Sequence, residues 1–182
     1  MWRRRAKPID ESERLIKDPQ KAKERTMNRA VRLLAAKPRS VGELRERLLE
    51  KSWTNSQIVG EVLQKLEEYK YLDDKQYAKD LAASKLRQKP QGKRKLQQTI
   101  SQKKLDKETV DEAITYAFEK MPEADMIDTA IEKRIRLKGI PKTREDLKKF
   151  YDYLLRQGFS YDLIKQKTDL AIRRNSNQKS ED

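Results

Sequence analysis

Apolar residues along this chain recur mainly at three- and four-residue steps, the period of an amphipathic helix, and no segment of any strength alternates with the period of a strand. Met27, Ala30, Val31 and Leu34 predict a first helix from about Ala22, ended at Lys37-Pro38, where proline stops it. Ser40 is placed to cap a second helix, with Glu43 completing a capping box and Leu44 and Leu48 on the inner stripe. Thr54 is read as the cap of a third, which runs through Ile58, Val59, Val62, Leu63 and Leu66. Tyr69 to Ala78 then closes one helical unit and opens the next. With Asp73 as N-cap, Gln76 falls at N3 of a capping box, and Leu72 and Tyr77 form the two ends of a hydrophobic staple.

The same plan recurs twice more. Leu44 and Leu48 align with Leu96 and Ile100 and then with Phe150 and Leu154, at offsets of 52 and 54 residues. A large apolar residue follows each pair: Trp53, Leu105 and Phe159. Next comes a cap, Thr54, Asp106 or Ser160, and then Ile58, Val110 or Ile164, so each set reads as a staple between N′ and N4. Thirteen positions beyond the same apolar residue stand Leu66, Phe118 and Ile172, expected deep in each third helix. The expected fold is all-α: three tandem three-helix repeats forming an elongated, curved helical body, as in stacked-repeat proteins. The boundaries are a basic, flexible N-terminal arm at 1–21, repeat 1 at 22–74, repeat 2 at 75–120, and repeat 3 at 121–182, including a polar tail that should fray from Asn175. The first helices of repeats 2 and 3 should run from about Lys75 to Gln88 and from about Glu123 to Lys138.

Charge sharpens the picture. Among 182 residues, 44 Lys and Arg stand against 30 Asp and Glu, a formal net charge of +14, so an anionic partner is expected. Cysteine is absent, which removes disulfides and thiolate zinc sites and fits a reducing compartment. The opening Met-Trp-Arg-Arg-Arg is followed by no apolar segment of the kind a secretory signal needs, and nothing resembles a membrane span, so a cytoplasmic protein without a membrane partner is expected. With no His, no Cys, five glycines and no phosphate-loop signature, no catalytic, cofactor or metal site is expected.

The sharpest asymmetry is Leu81 to Leu105, which holds Lys85, Arg87, Lys89, Lys93, Arg94, Lys95, Lys103 and Lys104 and no carboxylate. A second acid-free run, Lys133 to Arg144, carries Lys133, Arg134, Arg136, Lys138, Lys142 and Arg144. Lys and Arg beside Gln suit phosphates or an acidic protein groove. The candidate binding face is therefore Lys85, Arg87, Lys93, Arg94, Lys95, Lys103, Lys104, Lys133, Arg134 and Arg136, with Arg94, Lys95 and Lys103 foremost. Trp2 beside Arg3, Arg4 and Arg5 could stack on a base or dock on a partner. The tyrosines and phenylalanines are expected mostly in the core, with Tyr71 and Tyr153 as the exceptions.

From about Met27 to the end of the third repeat the chain resembles the bacterial RecX regulatory proteins. The segments that carry the likeness are Ala36-Lys-Pro-Arg-Ser-Val-Gly-Glu-Leu44, Tyr71-Leu-Asp-Asp-Lys-Gln-Tyr-Ala78, Gly92-Lys-Arg-Lys-Leu96 and Tyr153-Leu-Leu-Arg-Gln-Gly-Phe-Ser-Tyr-Asp162, in their order and spacing. Lys70 and Lys104 stand where the family pattern often has glycine, and the N-terminal arm is longer. The resemblance implies a non-enzymatic modulator that lies in the groove of the RecA filament and hinders filament growth, strand exchange and RecA-assisted repressor cleavage. Its implied partners are the RecA filament and single-stranded DNA, secondarily double-stranded DNA, with a monomer as the default state. Two other readings stay open: a stand-alone DNA-binding protein with helix-turn-helix-like units, and a helical scaffold between proteins.

Overall fold

A computed structural model of the chain describes residue 14 and residues 16–178. Among the described residues there are nine helices and no strand: α1 (Pro19–Ala36), α2 (Val41–Leu49), α3 (Ser56–Glu68), α4 (Asp74–Gln88), α5 (Lys93–Ser101), α6 (Lys107–Lys120), α7 (Glu123–Lys138), α8 (Arg144–Arg156) and α9 (Tyr161–Gln178). They fall in threes, with the first helices of the second and third sets close to the expected bounds. The chain divides into two compact units, residues 1–77 with the turn 103–106, and residues 78–102 with 107–182.

In the first unit α1, α2 and α3 enclose Ala30, Leu44, Leu48, Val59, Val62, Leu63, Leu66 and Leu72. These are the inner stripes of the periodicity, and each large aliphatic among them contributes about 1.5–3 kcal/mol by leaving water. α1 begins at Pro19 rather than near Ala22, because Asp18 caps it by accepting the Lys21 N–H at 3.0 Å and proline suits the first helical turn. Arg14, in the stretch expected to be a free arm, donates to the carbonyls of Leu49, Lys51 and Thr54 at 2.6–2.9 Å, where the end of α2 needs acceptors satisfied. Trp2, Arg3, Arg4 and Arg5 lie outside the described residues.

The third helix departs from expectation at its start. Asn55, not Thr54, is the N-cap of α3 and accepts the Ile58 N–H at 2.9 Å. Thr54 is instead fully buried and shares a 2.9 Å hydrogen bond with the Thr26 hydroxyl of α1. An Asx residue next to a threonine takes the cap, and the threonine turns inward; Trp53 is therefore one residue too early to be N′. The junction cap does form: Asp73 Oδ1 accepts the Gln76 N–H at 2.9 Å, ahead of α4.

The second unit holds α5 packed on α6, and α7, α8 and α9 around Ile127, Ala130, Ile131, Phe150, Leu154, Phe159 and Ile164. Asp106 and Ser160 directly precede α6 and α9, and the Ser160 carbonyl accepts the Ile164 N–H at 3.0 Å. Ile172 is only half-buried, unlike Leu66 and Phe118. The backbone of α9 stays helical to Gln178 rather than fraying from Asn175; no glycine or proline interrupts it.

Candidate nucleic-acid interface

The ten cations marked by the acid-free runs do not share one unit. Lys103 and Lys104 lie in the α5–α6 turn and belong to the first; Lys85, Arg87, Lys93, Arg94, Lys95, Lys133, Arg134 and Arg136 belong to the second.

In the first unit the turn is fastened to the start of α2. The Ser40 hydroxyl accepts the Glu43 N–H as a cap and donates to the Lys103 carbonyl. Lys103 Nζ pairs with Glu43 Oε1 at 3.0 Å, Lys104 Nζ with Glu46 Oε2 at 2.9 Å, and the Tyr77 hydroxyl donates to Glu43 Oε2 at 3.2 Å. Burial, then the nearby Glu43 carboxylate, pushes the Tyr77 phenol up to about 12. Asp74 Oδ1 accepts the Val41 N–H at 2.8 Å, and burial raises its carboxyl above the usual range. Lys70 and Lys104 adopt left-handed backbone, with φ of 60° and 56°, so the turns form without glycine.

The second unit repeats this joint with altered chemistry. Gly92, at the position of Ser40, donates its N–H to the Gln157 carbonyl at 2.9 Å. Lys95, at the position of Glu43, donates through Nζ to the Gln157 side-chain oxygen at 3.2 Å and to the Arg156 carbonyl at 3.3 Å. Burial and then Lys89 lower the Lys95 ammonium pKa. The Lys93 N–H donates to Glu123 Oε1 at 2.8 Å, its ammonium lies 5.8 Å from the Phe118 ring centroid, and the Arg134 guanidinium sits 4.9 Å over the Tyr153 ring. Lys95, Lys103, Lys104 and Arg134 thus hold the fold itself. Arg87, Arg94, Lys133 and Arg136 are exposed and carry no ion pair among the described residues, and Lys85 is half-buried without one. These are the cations available to an anionic partner.

Aromatic exposure exceeds what the periodicity suggests. Tyr71 is 68% exposed as anticipated, but so are Tyr69 at 58%, Tyr161 at 56% and Tyr116 at 40%, while Tyr153 is covered by Arg134. Lys65 and Lys79 lie over the Tyr69 and Tyr116 rings, which lets these aromatics sit at the surface.

A second basic surface lies outside those two runs. On α1, Arg25, Asn28, Arg29 and Arg32 line a concavity of about 340 Å³ with Leu33 and Trp53, and the Arg25 guanidinium lies 4.7 Å over the Trp53 ring. The signal was present: arginines stand at i, i+4 and i+7 inside residues 25–42, which hold no carboxylate, but their five cations are spread more thinly than the eight of Leu81 to Leu105. Among the described residues no group of three or more His, Cys, Asp or Glu could hold a metal ion, and no helix is long and apolar enough to cross a membrane.

Three family models match in order: the first three-helix domain of RecX at residues 27–66, the second at 73–114 and the third at 123–167. The Regulatory protein RecX of Chlorobaculum tepidum is 28% identical over 151 residues, covering 82% of this chain and 90% of that protein. That of Prosthecochloris aestuarii is 29% identical over 145 residues, covering 80% and 92%. That of Bacillus subtilis is 28% identical over 143 residues, covering 78% of this chain and 53% of the longer relative. The crystal structure of RecX from Lactobacillus salivarius superposes with a TM-score of 0.73 at 23% identity, over 83% of this chain and 99% of that one, a likeness of fold. Three consecutive three-helix domains, matched in sequence and each built as a three-helix set, place the chain in the RecX family of regulatory proteins.

Proposed function

We propose that this protein binds the RecA–DNA filament in the cytoplasm, as a monomer, and restrains RecA: filament growth, strand exchange and RecA-assisted repressor cleavage. Family membership supports the partner, and a net charge of +14 supports a nucleoprotein target. The observation that carries the reading is the set Arg87, Arg94, Lys133 and Arg136, cations held at the surface with no carboxylate to neutralise them among the described residues. Uncompensated charge of this kind meets phosphate with release of counterions.

The test adds purified protein to RecA assembled on single-stranded DNA and follows ATP hydrolysis. The wild-type chain should depress hydrolysis progressively, and the variant Arg87→Glu/Arg94→Glu/Lys133→Glu/Arg136→Glu should lose most of that effect. These sites are chosen because Lys95 and Lys103 hold turns, so their reversal would confuse binding with folding. Hydrolysis untouched by the wild-type chain overturns the proposal, and sequence-specific duplex footprints in the absence of RecA would point to a stand-alone DNA reader.

A further inference from the structure

The groove on α1 is built differently from the rest of the basic surface. Among the described residues three arginines, one asparagine, one leucine and one tryptophan line it, and no carboxylate does. Arg25, Arg29 and Arg32 have no ion pair among the described residues, and Arg29 Nε is shielded from solvent without a hydrogen-bond partner. By contrast Lys23, one face over, is neutralised by Glu61 at 2.7 Å. Guanidiniums set beside one another with no carboxylate between them among the described residues repel, and a bound anion relieves that repulsion.

The spacing indicates an extended anion. Arg25, Arg29 and Arg32 succeed each other along one side of α1, about 6 Å and then about 4.5 Å apart along the axis. A single phosphate would engage one or two of them, whereas a phosphate polymer engages the row. The aromatic end indicates which polymer. The Arg25 guanidinium lies over the Trp53 ring, 4.7 Å from its centroid, at one end of the arginine row, and Arg25 is an exposed residue. Planar guanidiniums and indoles stack on nucleobases, whose faces are accessible only when they are not paired and stacked in a duplex. Arginine rather than lysine fits both tasks, since its fork grips phosphate and its plane stacks. Asn28 adds a donor and an acceptor for a base edge or sugar.

We infer that the α1 groove, built by Arg25, Arg29, Arg32 and Trp53, binds a single-stranded nucleic-acid segment, with Arg29 and Arg32 on phosphates and a base against the Arg25–Trp53 stack. This site lies in the first unit and is independent of the cations assigned to the RecA filament in the second.

The chain has two tryptophans, Trp2 and Trp53, so Trp2→Phe leaves Trp53 as the sole indole reporter. Titrating that variant, without RecA, with an oligothymidylate should quench its fluorescence, with affinity falling as salt rises. Adding Arg29→Gln/Arg32→Gln should weaken binding at least about tenfold and flatten the salt slope by about 1.4, two phosphates at about 0.7 each. Lys148→Gln/Lys165→Gln, which removes the same charge from exposed sites on α8 and α9, should leave both unchanged. Thermal melting checks that each variant is folded; if the double arginine variant is not, the quench and salt slope of the Trp2→Phe chain alone decide. The inference is overturned if oligothymidylate leaves Trp53 fluorescence unchanged, if a duplex or polyglutamate of equal charge binds as tightly, or if the two double variants lose affinity equally. Because RecA is absent throughout, loss of this site and failure of the filament reading are read separately.

Discussion

Glu43 ties three segments of the first unit together: its N–H rests on Ser40, one carboxylate oxygen takes Lys103 and the other takes the Tyr77 hydroxyl. Tyr77→Phe removes one hydrogen bond to a charged acceptor and should lower stability by about 1 kcal/mol at neutral pH, read from urea unfolding. The pH dependence has a definite sign. In the folded chain the phenol holds its proton to about 12, against about 10 when unfolded, so its contribution is whole below pH 10 and drains away as pH rises through 12. The wild-type advantage over Tyr77→Phe should therefore shrink between about pH 10 and 12; an advantage that grows there would rule the contact out. Lys70 makes a complementary case. It is exposed with φ at 60°, a conformation that penalises any Cβ, so Lys70→Gly should raise the unfolding midpoint, by about 0.5 kcal/mol after the added freedom of the unfolded chain is subtracted. A lower midpoint would mean that the turn is not strained.

Among the elements, the starts of α2 and α5 do the joining. A Cβ on Gly92, ahead of α5, would stand 2.3 Å from the Gly158 carbonyl oxygen, and one on Gly158 would meet the Lys95 nitrogen at 2.5 Å, all of it backbone that cannot move aside. Gly92→Ala should cost at least about 2 kcal/mol in calorimetric unfolding, whereas Gly60→Ala, within α3 and with nothing inside 4 Å, should gain about 0.5–1 kcal/mol. A neutral Gly92→Ala would show that this approach is looser than drawn. The helices that make these joints were legible, because apolar stripes such as Leu44/Leu48, Leu96/Ile100 and Phe150/Leu154 are fixed by burial and all six residues are buried. What joins them was not. Position 43 pairs with 103 as Glu with Lys, and the equivalent 95 pairs with 157 as Lys with Gln, so the geometry recurs while the chemistry changes. Lys95 and Lys103 read as free charge in a linear scan because their partners are about 60 residues away in sequence. The Thr54 cap failed for a local reason: two adjacent capping residues competed, and only the buried bond to Thr26 decides between them.

For the molecule as a whole, charge is both large and fixed. A chain with no His and no Cys has no side chain whose ordinary pKa lies between the carboxylates and the phenols, so +14 persists across the neutral range. The displaced groups do not alter this: Asp74 rises from the low carboxylate end and Lys95 falls from the ammonium end, each an individual group within a field of 44 Lys and Arg. Binding carried by guanidinium and ammonium groups should therefore respond to ions and not to protons. Affinity for single-stranded DNA should stay constant within about twofold from about pH 5.5 to 7 at fixed ionic strength, yet fall steeply between about 50 mM and 200 mM salt. Fluorescence anisotropy with a labelled oligonucleotide measures both arms in one buffer series. If affinity changes tenfold with pH at constant salt, a titrating group must sit in the interface, such as a carboxylate raised far above its usual range, a lysine lowered far below its own, or the chain's α-amino group. If affinity is indifferent to salt, phosphate contact is excluded and the arginines of α1 and the exposed cations of α4, α5 and α7 must serve some other purpose.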